Sequence, residues 1–185
     1  YTINVCNFIL SRTTGDDASL SESMKRIKGQ ALFLRGYSYY TLAGYYQNPA
    51  LITDYANYSS LDGLYGKNST YDDVLDQVEK DFSEAMTLLP SRDAGGEWAK
   101  GRATCGAAAG YYARTLMQRH KYSDALTVLK DIMNKKYGSY KLMANYGDNF
   151  REGSAYENNA ESLFEIQYLD YGSQGVDDEW TPVNT

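Results

Sequence analysis

The sequence predicts a mostly α fold: a scaffold of paired helices followed by irregular loops with a small β element. Three observations carry this. Apolar residues recur every three or four positions in five separate segments before Lys136. Beyond Lys136 that period stops, and Gly138, Asn145, Gly147, Asn149 and Gly153 punctuate the chain. Only Ser162 to Tyr168 shows the period of a strand, with Phe164, Ile166 and Tyr168 alternating with Glu165 and Gln167.

The first helix, Tyr1 to about Arg12, gathers Ile3, Val5, Cys6, Ile9 and Leu10 on a broad face. The second runs from about Leu20 to Tyr46, with Leu20, Met24, Ile27, Ala31 and Leu34 in register. Gly29 and Gly36 interrupt it at a cost of up to about 1 kcal/mol each relative to Ala, which close contact with a neighbouring helix explains. The third begins at Thr70 and Asp73, a capping-box pair, and buries Val74, Leu75, Val78, Phe82, Ala85, Met86 and Leu89 before Pro90 stops it. The fourth, about Arg102 to Arg119, has a face of small residues: Ala103, Gly106, Ala107, Gly110 and Ala113. Such a face requires another helix close against it. The fifth takes Ser123 as its N-cap and buries Ala125, Leu126, Leu129, Ile132 and Met133.

The last two helices, Ala109 to Met133 with the tight link at Lys121 to Asp124, have the spacing of a tetratricopeptide hairpin. One such unit cannot bury itself, so the other helices are expected to stack on it as degenerate repeats. The fold class is therefore a tetratricopeptide-like scaffold over residues 1–136, with an acidic, loop-rich region from 137 to 185.

Composition narrows the function. In 185 residues, 43% are hydrophobic and 23% charged, which is globular. Net charge is −6, so the chain has no basic footprint for nucleic acid. From Gly147 onward nine acidic residues face one basic, Arg151, leaving a slight positive excess on the helices. Cys6, Cys105 and the single His120 are too few and too far apart for a disulfide framework or a zinc site. Asp177, Asp178 and Glu179 lack calcium-loop spacing and read as a solvated run. No carboxylate pair is marked out for acid–base work, and no metal or cofactor is expected. No stretch approaches the ~18 apolar residues of a membrane span. The opening Tyr1-Thr2-Ile3-Asn4 has neither a basic start nor an apolar core, so the chain reads as a fragment.

Four blocks, in order, resemble the SusD/RagB outer-membrane glycan-binding lipoproteins. They are Lys28 to Leu42 with Tyr45-Tyr46-Gln47-Asn48-Pro49, containing Ala31-Leu32-Phe33-Leu34-Arg35; Tyr71-Asp72-Asp73-Val74-Leu75 through Asp81-Phe82 to Leu89-Pro90; Gly101-Arg102-Ala103-Thr104; and Glu161-Ser162-Leu163-Phe164-Glu165-Ile166. Gly36 departs from the family's usual Ala, and Gln47-Asn48 replaces its Gly-containing turn. The resemblance implies surface binding of oligosaccharide or polysaccharide and its delivery to a TonB-dependent, SusC-like transporter. It also implies no catalysis, and a lipid anchor outside this chain at the outer membrane. Residues 137–185 would then open the family's C-terminal part. The alternative, from the hairpin spacing alone, is a tetratricopeptide adaptor that binds a peptide or protein.

Tyrosine is abundant, 19 of 185 residues, and aromatic faces stack on sugars while phenols hydrogen-bond to them. Tyr37, Tyr40, Tyr45, Tyr111, Tyr112 and Tyr122 fall in helical patterns and are expected to pack. Tyr55, Tyr58 and Tyr65 lie in a loop and are candidate ligand contacts. Trp98 and Trp180 are candidates too: each stacks on sugar or packs locally, and packing is the favoured reading. Arg35, central in its helix, is expected to pair with a carboxylate or to cap carbonyls. His120 is expected to sit at a helix C-terminus.

Overall fold

The computed structural model describes residues 1–56, 65–151, 153 and 156–167. Among the described residues are five α-helices: α1 (Thr2–Arg12), α2 (Glu22–Tyr46), α3 (Tyr71–Leu88), α4 (Cys105–Gln118) and α5 (Tyr122–Met133). Each packs on the next in chain order, as stacked hairpins do. Short 3₁₀ turns occur at Asp17–Ser19, Arg92–Ala94, Gly96–Ala99 and Tyr146–Phe150. No helix among the described residues is long and apolar enough to cross a membrane.

Local chemistry sets the starts of three helices. Ser21 Oγ accepts from Met24 N at α2, and Thr104 Oγ1 accepts from Ala107 N at α4. Thr70 and Asp73 form the expected reciprocal capping box at α3. Each such cap contributes about 1 kcal/mol. The helices then meet where glycine allows. A Cβ on Gly29 would lie 2.8 Å from Leu89, and one on Gly36 would lie 3.2 Å from Asp81 Cβ and from the Phe82 ring. Gly29 and Gly36 of α2 thus mark contact with α3 and the residue just after it. At the centre Phe33 is fully buried and meets Phe82, Tyr111 and Phe164 edge-on, with ring centroids 5.7, 5.8 and 4.9 Å away.

The small face of α4 serves two neighbours rather than one. Ala109 and Ala113 pack with Ala125 and Val128 of α5. Gly106 and Gly110 instead admit the Tyr140 and Leu163 side chains from the loop-rich end.

Three expectations are corrected. The N-cap of α5 is Lys121, without a side-chain cap, because the helix begins one residue before Ser123. Its apolar stripe is only partly covered: Ala125 and Val128 are buried against α4, whereas Leu126 and Met133 are 52% and 80% exposed. The side of α5 turned away from α4 has no described neighbour to bury it. Finally, residues 162–167 form no strand, and no strand occurs among the described residues; Tyr168 lies outside them. A strand needs a partner backbone, but here the Ser162 carbonyl accepts from Arg92, Phe164 enters the aromatic core and Glu165 accepts from Asn158 N. The alternation of the sequence is real, and its two faces go to a core and to a hydrogen-bonded turn.

Candidate functional site

The loop that leaves α2 is held from beneath by a buried polar network. Arg35 donates to Asp81 through Nε and Nη2 at 2.9 and 2.6 Å, tying α2 to α3. Its Nη1 donates to Asn7 Oδ1 at 2.9 Å and reaches the Thr53 carbonyl at 3.4 Å. Asn7 of α1 in turn donates to the Ile52 carbonyl at 2.7 Å. The Tyr39 hydroxyl brackets the same residue, accepting from Ile52 N at 2.7 Å and donating to its carbonyl at 2.8 Å. Every polar group of this cluster thus has a partner, the condition under which a buried network rigidifies its surroundings.

The electrostatics agree with that arrangement. Burial works against the Arg35 charge, but the bonds and charge of Asp81 outweigh it and hold its pKa above the ordinary value. Burial pushes the neighbouring Cys6 thiol up to about 11, so it stays neutral beside the ion pair.

The chain turns out of α2 at Gln47, whose φ of 59° is one that glycine adopts freely and side-chain-bearing residues adopt at a cost. Ser69 then braces the far side of the loop, its N–H donating to the Pro49 carbonyl and its Oγ accepting from Leu51 N.

Of the residues singled out from sequence, Tyr55 sits on this pinned loop, 40% exposed, with its ring edge-on to Phe8 at 5.1 Å. Arg12 lies over the other ring at 5.3 Å. Tyr65, 82% exposed, stands at the same end of α2, four residues before the Ser69 brace. Tyr45 joins them. It was expected to pack, but it lies 81% exposed because the last turn of α2 projects past its neighbours. Tyr122 is likewise exposed, with its hydroxyl 2.7 Å from His120 Nδ1 at the α4–α5 turn. Trp98 lies toward the opposite end of α2, 8% exposed, with Arg26 and Arg102 each 5.8 Å from its ring. Tyr58 and Trp180 lie outside the described residues.

Asn7 and Phe8 were not singled out from sequence. A polar residue midway between Ile3 and Leu10 on an apolar face was the signal for Asn7. Nothing local marks Phe8. Among the described residues no group of His, Cys, Asp and Glu is arranged to hold a metal ion.

A family model described as SusD-like, starch-binding associating with outer membrane, matches residues 1–117. The chain belongs to this SusD-like family. Solved relatives share the fold. A SusD-like carbohydrate binding protein from Bacteroides fragilis is 29% identical, with a TM-score of 0.76 over 90% of this chain and 31% of its own. A SusD superfamily protein from Bacteroides vulgatus is 26% identical, with a TM-score of 0.74 over 89% of this chain and 34% of its own. The surface glycan-binding protein A of Bacteroides uniformis, 22% identical, has the same fold, with a TM-score of 0.73 over 90% and 36%. The chain thus spans about a third of the length of these structures. No curated protein matches it.

Three of the four SusD-like sequence blocks lie within the matched residues and become α2, α3 and the cap of α4. The fourth, Glu161 to Ile166, lies beyond them, and its Phe164 returns to the α2–α4 core.

Proposed function

We propose that this SusD-like chain is part of a cell-surface protein that binds oligosaccharide or polysaccharide and delivers it to a TonB-dependent outer-membrane transporter for nutrient uptake. The observation that carries this is the family match over residues 1–117. In this reading the protein performs no reaction and is held at the membrane by a lipid anchor carried outside these residues. The stacked helices are the rigid body that docks the transporter, and the loops beside them contact sugar.

The geometry supports a sugar platform at the C-terminal end of α2. There Tyr55 presents its ring two residues beyond the Ile52–Thr53 backbone that the Arg35, Asn7 and Tyr39 network holds, and Tyr65 lies four residues before the Ser69 brace. Ordering the loop in advance lowers the entropy that binding must overcome. Each hydrogen bond to sugar replaces one to water, so stacking and repeated contacts supply most of the affinity.

The test is electrophoresis of the full chain through gels containing starch, laminarin and other plant, host and microbial polysaccharides. Retardation by at least one class is expected, weakened several-fold by Tyr55→Ala and by Tyr65→Ala. Retardation that survives both substitutions moves the contacts elsewhere, and the absence of any retardation removes the glycan reading.

A further inference from the structure

On the side of α2 turned away from Arg35 and Tyr39, a cavity of about 310 Å³ opens between α4 and residues 162–164. Its walls include Gly110, Tyr111 and Arg114 of α4 with Leu163 and Phe164. Gly110 lets the Leu163 side chain lie close against α4 as one wall, since a Cβ there would stand 3.0 Å from Leu163 Cδ1.

Arg114 has no hydrogen bond or ion pair to any described residue; its guanidinium lies 5.6 Å from the Tyr40 ring. Tyr111 meets Tyr37 and Tyr40 edge-on at 5.4 and 6.0 Å, and none of the three hydroxyls bonds to a described residue. Nor is any of them sealed in the interior: the one buried side-chain oxygen without a partner among the described residues is Asn4 Oδ1. Burial and the adjacent Tyr37 phenol hold the Tyr111 hydroxyl above its ordinary pKa, so it remains a neutral donor. Among the described residues no acidic side chain lines the cavity, in a chain whose net charge is −6.

A planar guanidinium, the Tyr111 phenol open for hydrogen bonding and an apolar floor of Leu163 and Phe164 are what a sugar ring with a carboxylate requires. The guanidinium fork matches a carboxylate in two parallel bonds. The ring faces and Leu163 suit the C–H face of a pyranose. The volume sits at the lower end of small-molecule pockets, which span roughly 300–1,000 Å³.

We propose that this cavity is a second glycan subsite that selects an acidic sugar, a hexuronate, with Arg114 taking the carboxylate. The inference rests on the glycan-binding reading and adds to it a substrate class and a separate place on the molecule.

The experiment is calorimetric titration of the full chain with trigalacturonate and with its neutral methyl ester. The acid is expected to bind about tenfold more tightly than the ester, a ratio within reach of one charge-assisted bidentate contact. Arg114→Gln removes the preference and Arg114→Lys leaves it reduced, while retardation by neutral polysaccharide is unchanged in both. Arg114 is exposed, so both variants are expected to keep the wild-type circular dichroism. An arginine-specific dicarbonyl labels Arg114 in the free protein, and trigalacturonate protects it.

Equal binding of acid and ester overturns the proposal, as does a preference that survives Arg114→Gln. So does an Arg114 that is unreactive without ligand, which shows polypeptide covering the cavity. If neutral glycan still binds in any of these cases, only the subsite fails. If no glycan binds at all, the broader reading fails with it.

Discussion

Two arginines hold two halves of this molecule in different ways. Arg35, buried in α2, bonds a carboxylate on α3, an amide on α1 and a loop carbonyl. Arg92, between α3 and α4, bonds only carbonyls: those of Asn159 and Ser162 at 3.0 Å and of Asn158 at 3.1 Å, with its guanidinium over the Tyr140 ring. The first couples helices that already pack by apolar periodicity. The second gathers a segment with no periodicity and fixes it against the helical body. Removing each arginine's contacts is therefore expected to fail differently: a cooperative loss in the first half, a local one in the second.

The largest effect is expected from Asp81→Ala. It leaves the Arg35 charge buried without its carboxylate, a situation that costs about 3–5 kcal/mol. Because Arg35 also holds Asn7 and Thr53, the loop at residues 51–56 should lose amide protection along with the helices. Urea denaturation gives the first quantity and hydrogen exchange the second. A loss below about 1 kcal/mol would mean that the helices do not depend on the pair, and the contrast between the halves would collapse.

Arg92→Met should do less. Three bonds from a charged donor are lost, but their carbonyls lie near solvent and can bond water, so about 2 kcal/mol is expected. Exchange should rise at residues 158–164 and stay unchanged in α1 and α3. Equal acceleration throughout would show that the loop-rich end is an integral part of the cooperative unit.

The same contrast explains what the sequence disclosed. Arg35 stands among the apolar residues of α2, which announced a buried charge that pairs with a carboxylate or caps carbonyls; that it does both, with Asp81 beside Phe82 on α3 and with Thr53, only the packed helices show. Gly29 and Gly36 announced the close approach of α3 in the same way, by costing helix propensity. Arg92 leaves no such trace, because its partners are carbonyls and every residue has one. Residues 162–167 misled for a related reason: alternation reports two faces, but not whether another strand lies alongside. At the candidate site, Tyr55 and Tyr65 were legible as aromatic residues in a loop. Phe8 was not, because its contact with Tyr55 spans 47 positions and depends on where the pinned loop comes to rest. The exposed stripe of α5 shows the converse limit: periodicity identified Leu126 and Met133 as a face, and no local pattern says what covers it.

A fall in pH gives the mildest and most selective way to separate the halves. Glu161 accepts from Met143 N at 2.9 Å and from Asn149 Nδ2 at 3.0 Å, joining two stretches of the loop-rich end. These bonds, first the one from the Met143 backbone, lower its pKa below the ordinary 4.5. A carboxylate whose pKa is depressed on folding contributes stability that is present above 4.5 and lost as pH falls through the lower folded value. Acid should therefore raise exchange at residues 141–149 and 158–161 before it touches α2 and α3. Glu161→Gln should reproduce the loosening at neutral pH and abolish its pH dependence. Glu161 is only half-buried and its bonds stay within the loop-rich end, so the global melting temperature should hardly move in that variant. If exchange in that segment is the same at pH 3 and pH 7, the Glu161 bonds do not hold the loop-rich end, and the Arg92 carbonyl contacts with the packing of Tyr140, Leu163 and Phe164 carry the difference between the two halves.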